Sequence, residues 1–178
     1  MDARLHRLQT EAELVKPADL LAILLDFHKG KLTLRQRHVA VARQVSQYNA
    51  NNTYQYVINR EDVHLQWLEA AITELEGTPD DLPEPTLPSL VWNESFTPLA
   101  TQDANDAAAF VARWRPRLAD VTHARHRGMM DVILGETLEQ KRFFDQIAAG
   151  REDVLGRRAN GAGSPGTGNG VLGVRWIE

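Results

Sequence analysis

The chain has 178 residues, 43% of them hydrophobic, and this length is sufficient to bury one sizeable core. Its formal net charge of −4 offers no basic surface for a polyanion, so we expect no nucleic-acid partner. Because there is no cysteine, the sequence excludes disulfides, thiolate metal ligands and a cysteine nucleophile.

The N-terminal segment 1–16 is charged and lacks the apolar stretch of a secretory signal peptide. The longest apolar run, LLAILL at 20–25, is far shorter than the roughly 20 residues that span a bilayer. We therefore expect a cytoplasmic protein with no membrane partner.

Two helices are predicted in the segment that follows. Pro17 suits a first helical turn and Gly30 suits a helix end, which predicts a short helix between them. Thr33 suits the N-cap of a longer helix, whose apolar periodicity continues to Gln47.

A third predicted helix begins at Thr53, after the turn sequence YNANN, and ends before Gly77. Five of the eight prolines lie in residues 77–102, which show no helical or strand periodicity. We interpret these residues as a long crossover that lies across the helices and buries its own Trp92 and Phe96 against them.

The second half of the chain predicts two further helices. One begins with Asp103 or Asp106 as its cap and is bent or interrupted at Pro116. The other covers Thr122 to Ala149.

Together these elements predict an all-α fold. Four long helices in two hairpins joined by a crossover are typical of a four-helix bundle, preceded here by the short N-terminal helix. We assign residues 1–150 to one bundle domain and 151–178 to a flexible, glycine-rich tail with the apolar end VLGVRWIE. Trp176 of this tail is expected to dock on its own bundle or on a neighbouring subunit.

An acidic residue, Glu61, interrupts an apolar helix face in INREDVHLQWLEAAI, residues 58–72. The apolar members of that face are Ile58, Leu65, Leu68 and Ile72. A shift of 75 residues places this stretch on ILGETLEQKRFFDQI, where Glu136 matches Glu61. Residues three apart on a helix point to one side, so Glu61 with His64, and Glu136 with Glu139, each present two ligand-type side chains.

A carboxylate in an apolar core must bind a cation, bind a metal or take up a proton. Two acids that face each other across one core would be stabilised by a divalent metal between them. The other solutions are a shared proton or a buried ion pair with an arginine. The candidate arginines are Arg37, Arg43, Arg113 and Arg142.

The stretch REDVHLQWLEAAITELEGTP, residues 60–79, resembles the second helix of ferritin-like and rubrerythrin-like proteins. There a Glu-x-x-His pair is followed by leucines and a glycine-proline exit. The near repeat and the long crossover also match that superfamily, over residues 33–150. A complete di-iron centre takes a glutamate from each of the other two helices and a second Glu-x-x-His. Here the helix from Thr33 has no acid, and Glu139 replaces the second histidine.

The resemblance implies a ferritin-like bundle with a reduced metal site that binds Fe or Mn and supports oxygen or peroxide chemistry on an unidentified small-molecule substrate. The implied ligands are Glu61, His64, Glu136 and Glu139. The alternative is a non-catalytic bundle that has lost the metal and serves self-association or partner binding. Whether the protein is an enzyme is left open. Bundles of this type frequently dimerise, so we expect a homodimer.

Two further sets of side chains are candidates. His123 and His126, in THARHRGMMD, resemble the metal-binding helix of DinB-type bundles, although histidines there lie four residues apart and these lie three apart. The alternative is a polar pair near a helix start. Tyr54, two turns before Glu61, is either a radical or proton donor beside a metal or a core aromatic with a satisfied hydroxyl.

Overall fold

The computed structural model describes residues 17–87 and 95–156, and all regular structure in these ranges is helical. The four α-helices are α1 Pro17–Ala42, α2 Tyr48–Glu74, α3 Thr97–Trp114 and α4 Ala124–Ala148. A 3₁₀ helix, Pro116–Asp120, lies between α3 and α4. The prediction of an all-α fold is confirmed over this part of the chain. None of its helices is long and apolar enough to cross a membrane.

Ion pairs between helices show which helices are neighbours and how they run. The N-terminal part of α1 contacts the C-terminal part of α3, so these two helices are antiparallel. The helices α2 and α4 are also antiparallel. The pairs are Asp26 with Arg113, Arg37 with Asp103, Arg60 with Glu136, and Glu74 with Arg125. The helices joined by short connections, α1 with α2 and α3 with α4, also pack against each other. Each helix therefore contacts an antiparallel neighbour, around a shared interior.

The interior contains two apolar clusters, one toward each end. The first includes Phe27, Leu68 and Trp114, and the second includes Tyr54 and Phe144. Buried polar side chains are also present, among them His28, Lys31, His38, Glu61, His64, Asp103, Thr137 and Gln140. These polar groups must find hydrogen-bond partners within the protein, because burial without a partner costs about 1 to 3 kcal/mol per group.

The predicted helix end at Gly30 is wrong, because α1 continues through this residue without a break. A Cβ atom at Gly30 would come within 2.9 Å of ring carbon Cε2 of Phe110. Glycine therefore allows α1 and α3 to approach each other closely. Thr33 is not an N-cap, since its hydroxyl donates to the carbonyl of Lys29 at 2.8 Å inside the helix.

The starts of α2 and α3 also differ from prediction. α2 begins at Tyr48, and Thr53 lies within it, with its hydroxyl bonded to a backbone carbonyl one turn earlier. α3 begins at Thr97, so residues 97–102 of the predicted crossover are helical. Asp103 is a buried side chain of α3 and not a helix cap.

The predicted helix end at Gln47 is wrong, since α1 ends at Ala42, but other boundaries agree with prediction. Pro116 interrupts the helical path as expected, since α3 ends at Trp114 and the 3₁₀ helix follows. α4 differs from the predicted span only at its ends. Phe96 is buried, as predicted. Residues 1–16, 88–94 and 157–178 lie outside the described ranges, and so do the predictions made for Trp92, Trp176 and the N-terminal segment.

Candidate functional site

A lysine lies at the centre of the polar interior. Lys31 of α1 is fully buried, and its ammonium Nζ donates to Oε1 of Glu61 at 2.7 Å. It also donates to Oγ1 of Thr137 at 3.3 Å and to Oε1 of Gln140 at 3.0 Å. An ammonium group has three N–H donors, so each of them has an acceptor here. The lysine thereby joins α1 to α2 and α4.

Glu61 is the negative partner of this lysine. Its second oxygen, Oε2, accepts a hydrogen bond from Nδ1 of His38 at 2.8 Å. Burial alone would raise the pKa of Glu61, but the charges and hydrogen bonds of His38 and Lys31 outweigh burial and lower this pKa to about 2. Glu61 is therefore a carboxylate at neutral pH. We call Lys31, His38, Glu61, Thr137 and Gln140 the lysine cluster.

A second acid, Asp103 of α3, lies near the lysine cluster. Tyr54 donates its hydroxyl to Oδ2 of Asp103 at 2.5 Å, and Nε of Arg37 donates to Oδ1 at 2.6 Å. Burial raises the pKa of Asp103, opposed by the charge of His38, by the Tyr54 hydrogen bond and by Arg37. Burial and the adjacent carboxylate also raise the pKa of Tyr54. Tyr54 is thus a core aromatic whose hydroxyl has a partner.

The predicted residues His64 and Glu136 meet at the edge of the interior rather than beside Lys31. Nε2 of His64 lies 2.9 Å from Oε2 of Glu136, and Arg60 binds both oxygens of the same carboxylate. The side chain of Glu136 is 32% exposed. Burial and the charge of Lys31 lower the pKa of His64 to about 4, against the opposing effect of Glu136. His64 is therefore neutral at pH 7, and we call His64 and Glu136 the rim pair.

The fourth predicted ligand lies elsewhere. Glu139 is 45% exposed and pairs with Arg142 on the surface of α4. The structure thus divides the predicted metal site into three places: Glu61 with Lys31, His64 with Glu136, and Glu139 alone at the surface. In residues 17–87 and 95–156, no group of three or more histidine, aspartate or glutamate side chains is placed to hold a metal ion.

The offset between α2 and α4 explains this division. With a shift of 76 residues, Glu61 matches Thr137 and His64 matches Gln140, and all four side chains are buried. The predicted shift of 75 matches Glu61 with the partly exposed Glu136. Thr137 and Gln140 therefore occupy, in α4, the places that correspond to the Glu-x-x-His pair in α2.

An ion pair between Glu61 and an arginine was one predicted alternative to a metal. The structure places Lys31 and His38 beside Glu61 instead. Sequence reasoning missed Lys31 because α1 was divided at Gly30, and it did not assign His38 to Glu61. In one continuous helix, Lys31 and His38 are two turns apart on one face, with Leu34 between them on that face. That spacing is the signal that could have identified them.

Comparison with models of protein families, with curated proteins and with solved structures finds no match to this chain. Membership of the ferritin-like superfamily therefore stays a prediction, and so does metal binding.

Proposed function

We propose that this chain is a ferritin-like helical protein in which a lysine takes the place of the metal ions, and that it serves association with protein partners rather than catalysis. The observation that carries the proposal is the position of Lys31. Its ammonium group contacts Glu61 of α2 and two side chains of α4, Thr137 and Gln140, which match Glu61 and His64 at a shift of 76 residues.

The helix arrangement supports the ferritin-like part of the proposal. After α2 ends, the chain follows α1 toward its C-terminal end: Gln36 donates to the carbonyl of Leu82 at 2.7 Å, and Arg43 pairs with Glu84. Phe96, at the start of α3, belongs to the same apolar cluster as Val45 at the end of α1. This path is the one expected of a crossover that joins two hairpins over the length of a bundle.

The chemistry of the lysine cluster favours a structural role. A catalytic metal site requires an open coordination position for substrate. Lys31 offers no such position, because all three of its N–H donors have acceptors within the protein. The positive charge of Lys31 also stabilises the Glu61 carboxylate without any bound ion. A lysine and a metal ion cannot occupy the same space beside Glu61, so one excludes the other.

Elemental analysis tests the proposal directly. The full chain, purified without chelator and then offered Fe(II), Mn(II) or Zn(II), should retain less than about 0.1 equivalent of each metal after desalting, because Lys31 occupies the site. The Glu61→Ala variant is the control for adventitious uptake. One equivalent of iron or manganese that Glu61→Ala abolishes would establish the predicted metal site and overturn the proposal.

A gain-of-function variant tests the same idea from the other side. Lys31→Glu replaces the ammonium with a second carboxylate beside Glu61, and a divalent cation should then stabilise the fold. We expect Mn(II) or Zn(II) at 1 mM to raise the melting temperature of Lys31→Glu by several degrees and to leave the Lys31→Met control unchanged. Equal responses of the two variants would show that this position does not correspond to a metal site.

A further inference from the structure

Two glycines in the middle of α4 border open space in the part of the chain that the structure describes. Gly128 and Gly135 are exposed, and a Cβ atom added at either would meet no atom within 4 Å. Each glycine costs the helix about 1 kcal/mol relative to alanine. Gly30 is different, because it makes room for Phe110. The fold therefore explains Gly30, whereas the described residues give no packing reason for the two glycines of α4.

The two glycines lie on one face of α4, on either side of Val132. Residues seven apart in a helix are separated by about two turns and so share a face. Val132 is 50% exposed although it is large and apolar. Small residues flanking an exposed apolar side chain allow a second helix to approach closely and pack against it.

Among the residues whose burial the structure describes, the exposed large apolar side chains lie on α2 and α4. Every large hydrophobic side chain that is exposed within residues 19–87 and 95–156 belongs to one of these two helices. They are Tyr48, Tyr56, Trp67, Val132 and Leu138. The α1 and α3 side instead carries the ion pairs of Asp26 with Arg113 and Arg117. The face that includes α4 is therefore the one suited to contact with another protein.

A buried histidine opens onto the same face. His126 is only 4% exposed, and neither of its ring nitrogens has a hydrogen-bond partner among the described residues. It lines a groove of about 350 Å³ between α2 and α4, together with Trp67, Met129 and Val132. Buried polar atoms normally have partners, so this unsatisfied ring can accept a partner that the described residues do not supply.

We propose that α4 packs antiparallel against α4 of a second copy of this chain, about a two-fold axis at Val132. This inference rests on the proposed function and names the surface through which self-association occurs. Arg125 and Glu139 lie seven residues before and after Val132, on its face of the helix. The axis places Arg125 of one copy opposite Glu139 of the other, and this ion pair occurs twice.

The same axis matches shape as well as charge. It places Met129 of one copy opposite Gly135 of the other, so that a flexible apolar side chain enters the space that glycine leaves. Arg125 and Glu139 already have intramolecular partners, Glu74 and Arg142, but all four side chains are exposed and can share a further contact. A stable interface buries about 800 Å² on each partner, so the contact extends to Trp67 and the groove.

Charge reversal on the full chain tests the interface. In sedimentation equilibrium the wild type should dimerise, and Arg125→Glu or Glu139→Arg should each weaken dimerisation at least about tenfold, because each creates two like-charged contacts. The double variant Arg125→Glu/Glu139→Arg should restore the wild-type constant to within about threefold. The control is Arg43→Glu, which reverses a charge of the same 68% exposure away from α4.

A second pair of variants separates the face from the rest of α4. Val132→Asp should abolish dimerisation, whereas Leu138→Asp should not, since Leu138 is similarly exposed but points about 120° away. Circular dichroism establishes that each variant is folded. A monomeric wild type, or a dimer that resists the α4 variants, would overturn the interface. Neither result affects metal uptake, which tests the proposed function separately.

Discussion

Two glutamates that occupy matching places in similar stretches of sequence have opposite environments. Glu61 is fully buried and binds Lys31 and His38. Glu136 lies at the edge, about a third exposed, and binds Arg60 and His64. Both carboxyl groups have a lowered pKa, but the buried one depends on charges that are themselves buried, whereas the pair at the edge is partly solvated.

An offset of one residue produces this difference. Successive side chains of an α-helix differ in direction by about 100°, so Thr137 points to Lys31 while Glu136 points toward the edge. Acidic residues at both positions of a repeat are therefore insufficient to place two carboxylates in one core. The direction of each side chain must also match.

The largest expected effect contrasts the two glutamates by the same substitution. Glu61→Gln leaves the ammonium of Lys31 buried without a counterion and should lower the free energy of unfolding by about 3–5 kcal/mol. Glu136→Gln affects a partly exposed pair and should cost about 1 kcal/mol or less. Urea unfolding at pH 7, followed by circular dichroism, measures both. Equal losses would show that the two carboxylates are equally buried in solution.

Much of the fold was predictable from the sequence, because periodicity and breakers identify helices reliably. The helical class, the interruption at Pro116 and the approximate span of α4 are confirmed. The continuity of α1 through Gly30 and the starts of α2 and α3 were not found, since Gly30, Thr53 and Asp103 have local signals that packing overrides. A glycine that ends a helix and a glycine that admits an aromatic ring are identical in sequence.

The site was predictable only in part, for reasons of chemistry. The burial of Glu61 and His64 followed from their position in an apolar stripe. Lys31 was missed because lysine is almost never fully buried without a partner, and its partner lies 30 residues away. Thr137 and Gln140 are uncharged, so the acidic Glu136 and Glu139 were preferred as ligands.

The next effect separates His64 of the rim pair from Glu61 by pH. The pKa of His64 falls from 6.5 to about 4 on folding, so as pH drops the unfolded chain takes up a proton before the folded chain does. Stability should fall by up to about 3 kcal/mol as pH drops from 6.5 to 4. The contribution of Glu61, whose pKa falls from 4.5 to about 2, is lost only as pH drops through that lower range.

Urea unfolding between pH 7 and 3 measures the first range in full and the upper part of the second. His64→Gln should reduce the slope between pH 6.5 and 4 and leave the loss below pH 4.5 in place. It should not remove the slope entirely, because burial also lowers the pKa of His126. The exposed His123 provides the control, through His123→Gln. A slope that His64→Gln leaves unchanged would contradict the burial of His64.

The smallest effect concerns Thr137, the residue of α4 that matches Glu61. Thr137→Val removes an acceptor of Lys31 while the ammonium keeps Glu61 and Gln140, so the cost should be about 1 kcal/mol. Thr33→Val is the matched control, since both hydroxyls donate to the backbone carbonyl one turn earlier at 2.8 Å. The hydroxyl of Thr33 is exposed, however, and accepts no hydrogen bond from a lysine ammonium among the described residues. The control should change the free energy of unfolding by less than about 0.5 kcal/mol. If the two variants lose equal stability, the hydroxyl of Thr137 acts only on its own helix. Thr137 would then not join Lys31 to α4, which would contradict the shift of 76 residues between α2 and α4.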